Sequence, residues 1–300
     1  MDKFCFTKHR NLPGDKIMKH TSRRNACKVL VAAAALACIS ATALAEGGSL
    51  ADIKARGQLT VGTEAAYEPY EFVENGVVVG YGRDVLEHMA KKLGVKLVQL
   101  NLPFQGLLPG LMSRRFDFVA TSVGITEERA KRFAFSRPIG IVRSMLVVST
   151  ANKALNRPED LASKIVGTQM GSQAQPVAQE FDRQLKEKYG KGFAELKLFQ
   201  AYPDVSVALG NGTLDVGVLP SNVLAVQMRR QPNSFRMIGE IGSPRLLAWV
   251  ANPKDEEIRS FINATLEEMR ASGKLAELQK KWFGETMALP TADYLPKGAL

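Results

Sequence analysis

From residue 58 onward, short apolar runs alternate with stretches whose apolar positions fall three and four apart. A βα succession gives this pattern, because a strand buried on both faces reads as an apolar run while its helix is apolar on one side. Leu59 to Gly62 predicts a buried first strand. Arg83 to Leu93 predicts a helix with Val85, Leu86, Met89 and Leu93 on one face and Gly94 as its stop. A strand over 95–100, a helix over 107–112 and a strand over 116–121 continue the series. A second set follows Ala151: strand 165–168, helix 175–188, strand 196–199, short helix 205–209, strand 216–219 and helix 223–230. Two β-branched runs, Ile141 to Ser149 and Leu246 to Ala251, stand where one set gives way to the next, as strands crossing between two lobes would. Glu256 to Phe283 is strongly helical, with Ile258, Phe261, Ile262, Leu266 and Met269 spaced for one buried face. The tail, residues 285–300, carries prolines and little periodicity, and no internal repeat is visible.

Charge alters this picture only at the N-terminus. The 300 residues hold 40 Lys and Arg against 30 Asp and Glu. Residues 1–45 contain eight of the basic and two of the acidic ones, so the remainder carries a net charge of +4, with its signs interspersed. That is no nucleic-acid footprint. Residues 1–45 read instead as an extension and cleavable signal peptide. Arg23, Arg24 and Lys28 precede an Ala-rich apolar core from Val29 to Ile39, and Ala43-Leu44-Ala45 fits a cleavage site. The signal also reads well from Met18, which leaves Met1 and Met18 open as starts. Ser22 to Lys28 partly matches a twin-arginine signal but lacks the bulky apolar residues after the arginines, so ordinary secretion is expected. Ala35-Leu36-Ala37-Cys38 is a poor lipoprotein box, and the expectation is a released periplasmic protein.

Cys5, Cys27 and Cys38 all fall in that segment, and His88 is the only histidine after it. Disulfides, thiol nucleophiles, histidine triads and multi-histidine metal sites are thereby excluded from the mature chain. No cofactor or metal is expected.

Three strand-to-helix turns carry candidate chemistry, since loops at strand C-termini are where open α/β sheets bind ligands. Gly62 to Tyr70 offers Glu64 as a charge and Tyr67 as a ring face, or else an aromatic turn pinning the loop to the core. Thr121 to Arg129 ends a strand in small polar residues, with Thr126 as N-cap and Arg129 one turn into the helix. This is either an anion site with an arginine fork or a capped surface helix. Gly167 to Gln173 presents amides and hydroxyls, or simply a glycine turn with Ser172 as N-cap. It lacks the lysine and spacing of a P-loop.

Taken in order, several motifs resemble the family 3 bacterial solute-binding proteins, the polar amino-acid receptors of ABC transporters. They are Gly62-Thr63 with Tyr67, Pro69-Tyr70 and Phe72; Phe104 to Pro109; Phe116-Asp117; and Ile125-Thr126 with Arg129. Phe135-Ser136 with Pro138, Asn156 with Pro158 to Leu161, Gly210 to Asp215, and Lys281 to Gly284 complete the series, which covers about residues 50–284. The resemblance implies a type II periplasmic-binding-protein fold: lobe one from 50–148 and 247–284, lobe two from 149–246, joined by two hinge strands. It implies Tyr67 and Phe104 sandwiching a solute, Glu64 reading its side chain, and Arg129 gripping its carboxylate. Amides and hydroxyls around Thr121, Ser122, Gly124, Ser172 and Gln173 would assist.

Two departures stand out. Gly124 replaces the Ser or Thr common in the family, and Pro220 stands where the family carries the Asp that holds an α-ammonium. Proline has neither carboxylate nor N–H, so Ser221, Asn222 or Glu64 takes over, or the solute is not a standard α-amino acid. The partners implied are a small carboxylate or amino acid and a membrane permease, with the receptor acting as a monomer and not as an enzyme. The rival readings are a dehydratase of cyclic acids such as prephenate or arogenate on the same fold, with Glu64 as its acid or base, and a sensor partner.

Overall fold

The computed structural model describes residues 48–300; the expected signal segment and its cleavage site lie outside the described residues. After a capped first helix α1 (Leu50–Arg56), β1 (Gln58–Thr63) is buried from Leu59 onward. It runs parallel to β5 (Lys96–Asn101) and β6 (Phe118–Gly124). Between β1 and β5 lies a small antiparallel sheet that the periodicity did not reveal: β2 (Ala66–Tyr67), β3 (Glu71–Glu74) and β4 (Val77–Val79). Helix α2 (Tyr81–Leu93) then buries the expected face, Val85, Leu86, Met89 and Leu93, and ends at Gly94 in the left-handed conformation. A short 3-10 turn at Phe104–Gly106 leads into α3 (Leu107–Met112), and α4 (Glu127–Ala130) follows β6 with Thr126 accepting from the Arg129 amide.

After β7 (Ala134–Phe135), β8 (Gly140–Ser149) enters the second half. There β9 (Ile165–Gln169), α5 (Ala174–Tyr189), β10 (Glu195–Phe199), α6 (Tyr202–Gly210), β11 (Val216–Pro220) and α7 (Ser221–Arg230) repeat the βα rhythm. Strand β12 (Phe235–Ala251) returns, and α8 (Glu256–Ala271) and α9 (Lys274–Phe283) complete the first half. The expected single helical stretch breaks at Gly273, where φ is 78°.

The main sheet runs β10-β9-β11-β8-β12-β6-β1-β5, with β7 attached to β12. The antiparallel pair β8 and β12 therefore joins the parallel set β10-β9-β11 to the parallel set β6-β1-β5. Only the end of β12 had the apolar signature of a crossing strand; register shifts at Met237/Gly239 and Ile241/Arg245 break the alternation before it.

Apolar clusters lie on both faces of the sheet. One gathers Ile53, Val85, Leu86, Ile258 and Ile262 beneath α2 and α8. Another gathers Val148, Val166, Ala178 and Leu185 beneath α5. A third surrounds Phe116, Val119, Val123 and Phe135, and the tail's Tyr294, Leu295 and Ala299 pack on it. Among the described residues no helix is long and apolar enough to cross a membrane.

A candidate solute cleft between the lobes

The strands β1, β6 and β9 all end on one side of the junction, so the three turns singled out in the sequence converge there. Glu64, Tyr67, Phe104, Thr121, Ser122, Gly124, Ser172 and Gln173 line one chamber, with Gln169, Tyr202 and Leu247. Its free volume is about 20 Å³, room for roughly one water molecule. A solute of amino-acid size therefore enters only when the lobes part. A much larger hollow, about 1060 Å³, opens beside it between α3, α4 and the start of α5. That hollow is an open groove, and the convergent polar groups lie in the small chamber instead.

Glu64 is 6 % exposed. It faces Gln169 across the cleft, and the Gln169 amide donates to its Oε1. The same amide donates to the Gln200 carbonyl at 3.0 Å. Burial pushes the Glu64 carboxyl up to about 7, against the lowering effect of the Gln169 hydrogen bond, and the charge of Asp204 adds to the rise. Glu64 is thus poised between its two states near neutral pH.

Behind it, Glu71 is wholly buried, and the Ser122 hydroxyl donates to Oε2 at 3.3 Å. Burial holds the Glu71 carboxyl well above the ordinary carboxylate range, with bonds from Ser122 and Thr121 opposing. The Glu71 carboxylate fills the space that a Cβ on Gly82 would need.

Tyr67 and Phe104, the expected aromatic pair, both line the chamber, and each has a further neighbour. Tyr67 lies beside Tyr202 of the other lobe, centroids 5.8 Å apart, and beside Tyr70 at 5.7 Å. Phe104 also lies under Arg129, whose guanidinium carbon stands 5.7 Å from its ring centroid, a cation–π arrangement.

Arg129 is placed at the mouth. Its guanidinium donates to the Gly124 carbonyl at 3.0 Å and to the Gly171 carbonyl of the opposite lobe. It lines the outer groove, not the chamber, and burial lowers its pKa from the usual arginine value.

Ser221 lies elsewhere. It begins α7 and accepts from the Arg143 amide at 3.3 Å, in a separate recess with Tyr70, Asn222 and Phe283. Pro220 ends β11, and Asn222 donates to the Glu68 carbonyl at 3.0 Å. Of the groups weighed for an ammonium, Glu64 alone faces the chamber. Tyr202, Gln169 and Glu71 were missed. Gln169 stood inside a quoted motif; Tyr202 opens a helix after an unremarkable strand, and nothing in its neighbourhood marks it.

Further contacts join the lobes around this chamber. Gln105 donates to the Met170 and Gln200 carbonyls at 3.0 and 3.1 Å, and Arg230 pairs with Glu68. Residues 59–285 match the family described as bacterial extracellular solute-binding proteins, family 3. The chain belongs to this family. Over 266 residues it is 28 % identical to the probable amino-acid-binding protein YxeM of Bacillus subtilis, covering 87 % of this chain and 96 % of that one. A mutant of ArgBP from T. maritima, a protein also solved in arginine-bound form, superposes with a TM-score of 0.70 at 32 % identity, covering 79 % of this chain and 99 % of that one. AncCDT-1, an ancestral amino acid-binding protein and precursor of cyclohexadienyl dehydratase, gives a TM-score of 0.70 at 28 % identity, covering 78 % and 99 %. The two-lobed α/β architecture is thus that of solved amino-acid-binding proteins.

Proposed function

We propose that this family member is the periplasmic receptor of an ABC importer, a monomer that takes an amino acid or a related small amine-bearing carboxylate into the cleft and presents it to a membrane permease. The observation that carries the reading is the Glu64–Gln169 bridge across a chamber walled by Tyr67, Tyr202, Thr121 and Ser122. The family's ammonium partner is replaced by Pro220, which lines no part of the chamber. Glu64 takes that role: an amine displaces the Gln169 amide and holds Glu64 ionised. Arg129 exchanges its two carbonyl partners for the solute carboxylate as the lobes part and re-close, a bidentate pairing for which the guanidinium is shaped. The lobes are assigned to 50–148 with 247–284, and to 149–246.

Isothermal titration with L-arginine, L-glutamine, L-ornithine and amine-free monocarboxylates and dicarboxylates of the same length tests this. Binding should require the amine, and Glu64→Gln and Arg129→Ala should each weaken it by more than about tenfold, the loss of one charged partner. Equal affinity for amine-free acids would remove Glu64 from the assignment.

A second reading has one observation in its favour. A buried glutamate held near 7 suits a general acid, and AncCDT-1 is described as a precursor of a dehydratase. Incubation with prephenate and arogenate decides between them: no product is expected, and turnover abolished by Glu64→Gln would make the chain an enzyme.

A further inference from the structure

Gly124 ends β6 where the lobes meet. Its φ lies outside the left-handed region, so its backbone accepts an ordinary L-residue, and the demand for glycine there is one of space. A Cβ on Gly124 would stand 2.6 Å from both Cβ and Cγ of Gln173, roughly 1 Å inside ordinary carbon contact. The Gln173 Cβ is fixed by its backbone, so rotating the side chain does not relieve the clash; the lobes would have to separate.

Gln173 is itself well held. It is 5 % exposed, and its Oε1 accepts from the Tyr202 hydroxyl at 3.4 Å. Arg129 lies on the far side, bonded to the Gly124 and Gly171 carbonyls in the outer groove. Gln173 and Gly124 line the chamber with Glu64 and not that groove, so their contact stands on the chamber side of the arginine.

We propose that Gln173 is a specificity-determining residue: seated on the bare Cα of Gly124, it partitions the Arg129 end of the cleft from the Glu64 end. A solute reaching both charges must pass this partition. The cleft therefore selects an unbranched carboxylate–amine chain, narrow between its two ends, whose methylenes pass the Gln173 side chain. The inference rests on the binding function proposed above.

The test is a crossed pair in the full-length chain: Gly124→Ala, Gln173→Gly and both together. Each is titrated with L-ornithine, 5-aminopentanoate and branched L-valine, and each ligand-free protein is measured by small-angle scattering. Gly124→Ala should weaken ornithine or 5-aminopentanoate at least about tenfold, the usual scale of an overpacked contact, and expand the ligand-free particle. Adding Gln173→Gly should restore both properties, because it removes the opposing Cβ. Gln173→Gly alone should improve valine relative to the unbranched acids. A parent chain that binds none of the acids and amines tried would overturn the receptor reading, and the radii would still rank the variants. Equal radii with no rescued loss of affinity, or a valine preference unmoved by Gln173→Gly, would overturn the partition.

Discussion

Glu64 couples the cleft to proton concentration. Asp204, Glu71, Tyr67 and Tyr202 surround it with acidic or neutral groups, and its carboxyl is held near 7 against an ordinary value of 4.5. Between those two values the folded, closed chain binds more protons than the unfolded one. The Glu64 contribution to stability therefore falls as pH rises from about 4.5 to about 7, by a total of about 3 kcal/mol for a shift of this size. The raised Glu71 carboxyl adds a fall of the same sign. Chemical denaturation across that window should show the slope, and Glu64→Gln should reduce it; an unchanged slope would place the titration elsewhere. Amine binding has the opposite sign, because it needs the ionised form, so affinity for an amine-bearing acid should fall by up to about tenfold per unit below pH 7. Eight of the chamber's residues were legible because turns after buried strands converge in any such sheet. Tyr202 and Glu71 were not: a tyrosine opening a helix and a glutamate in a short hairpin strand look like surface residues until tertiary packing buries them.

Individual elements carry their own constraints. Phe116 is wedged between β1 and α3, its ring within 2.6 to 2.9 Å of where Cβ atoms on Gly62 and Gly110 would stand. Gly62→Ala should cost about 1–3 kcal/mol, as overpacked cores do, read as a lower denaturation midpoint with unchanged m-value. The tail behaves as a packed element despite its irregular sequence. Leu300 donates its amide to the Ala130 carbonyl at 2.9 Å, Arg137 donates to the Thr291 carbonyl at 3.1 Å, and Tyr294 and Leu295 cover the Phe116 cluster. Ala130 follows Arg129 directly, so truncation after Glu285 should loosen the helix that holds the arginine. A loss of about 2 kcal/mol, or roughly 4–8 °C in Tm, is expected, together with weaker carboxylate binding. A truncated chain with unaltered melting would show the strap to be idle. The βα units were readable because their periods are regular. The early part of β12 was not, since its buried residues Phe235, Ile238 and Ile241 fall three apart where the strand slips register.

At the scale of the whole molecule, the lobes are held by a few polar bonds over a small chamber, so closure is an equilibrium that a solute can tip. Gln105, half-buried, makes two of those bonds. Gln105→Ala should leave the melting midpoint nearly unchanged and weaken solute binding between about two- and tenfold, the net worth of one or two such bonds; a large drop in stability instead would mean that Gln105 serves the fold. The order of strands has a different consequence. Strand β12 and helices α8 and α9 come last in this sequence, yet they complete the half that β1 begins, with Ile258 and Ile262 packing beside Ile53 and Val85. The intervening half is continuous in sequence. The middle of the chain finds its neighbours within one continuous stretch, while Ile53 and Val85 also need partners more than 150 residues away. The described opening of the chain, α1 and β1, thus gains its finished core only with its most distant partners, a consequence of connectivity.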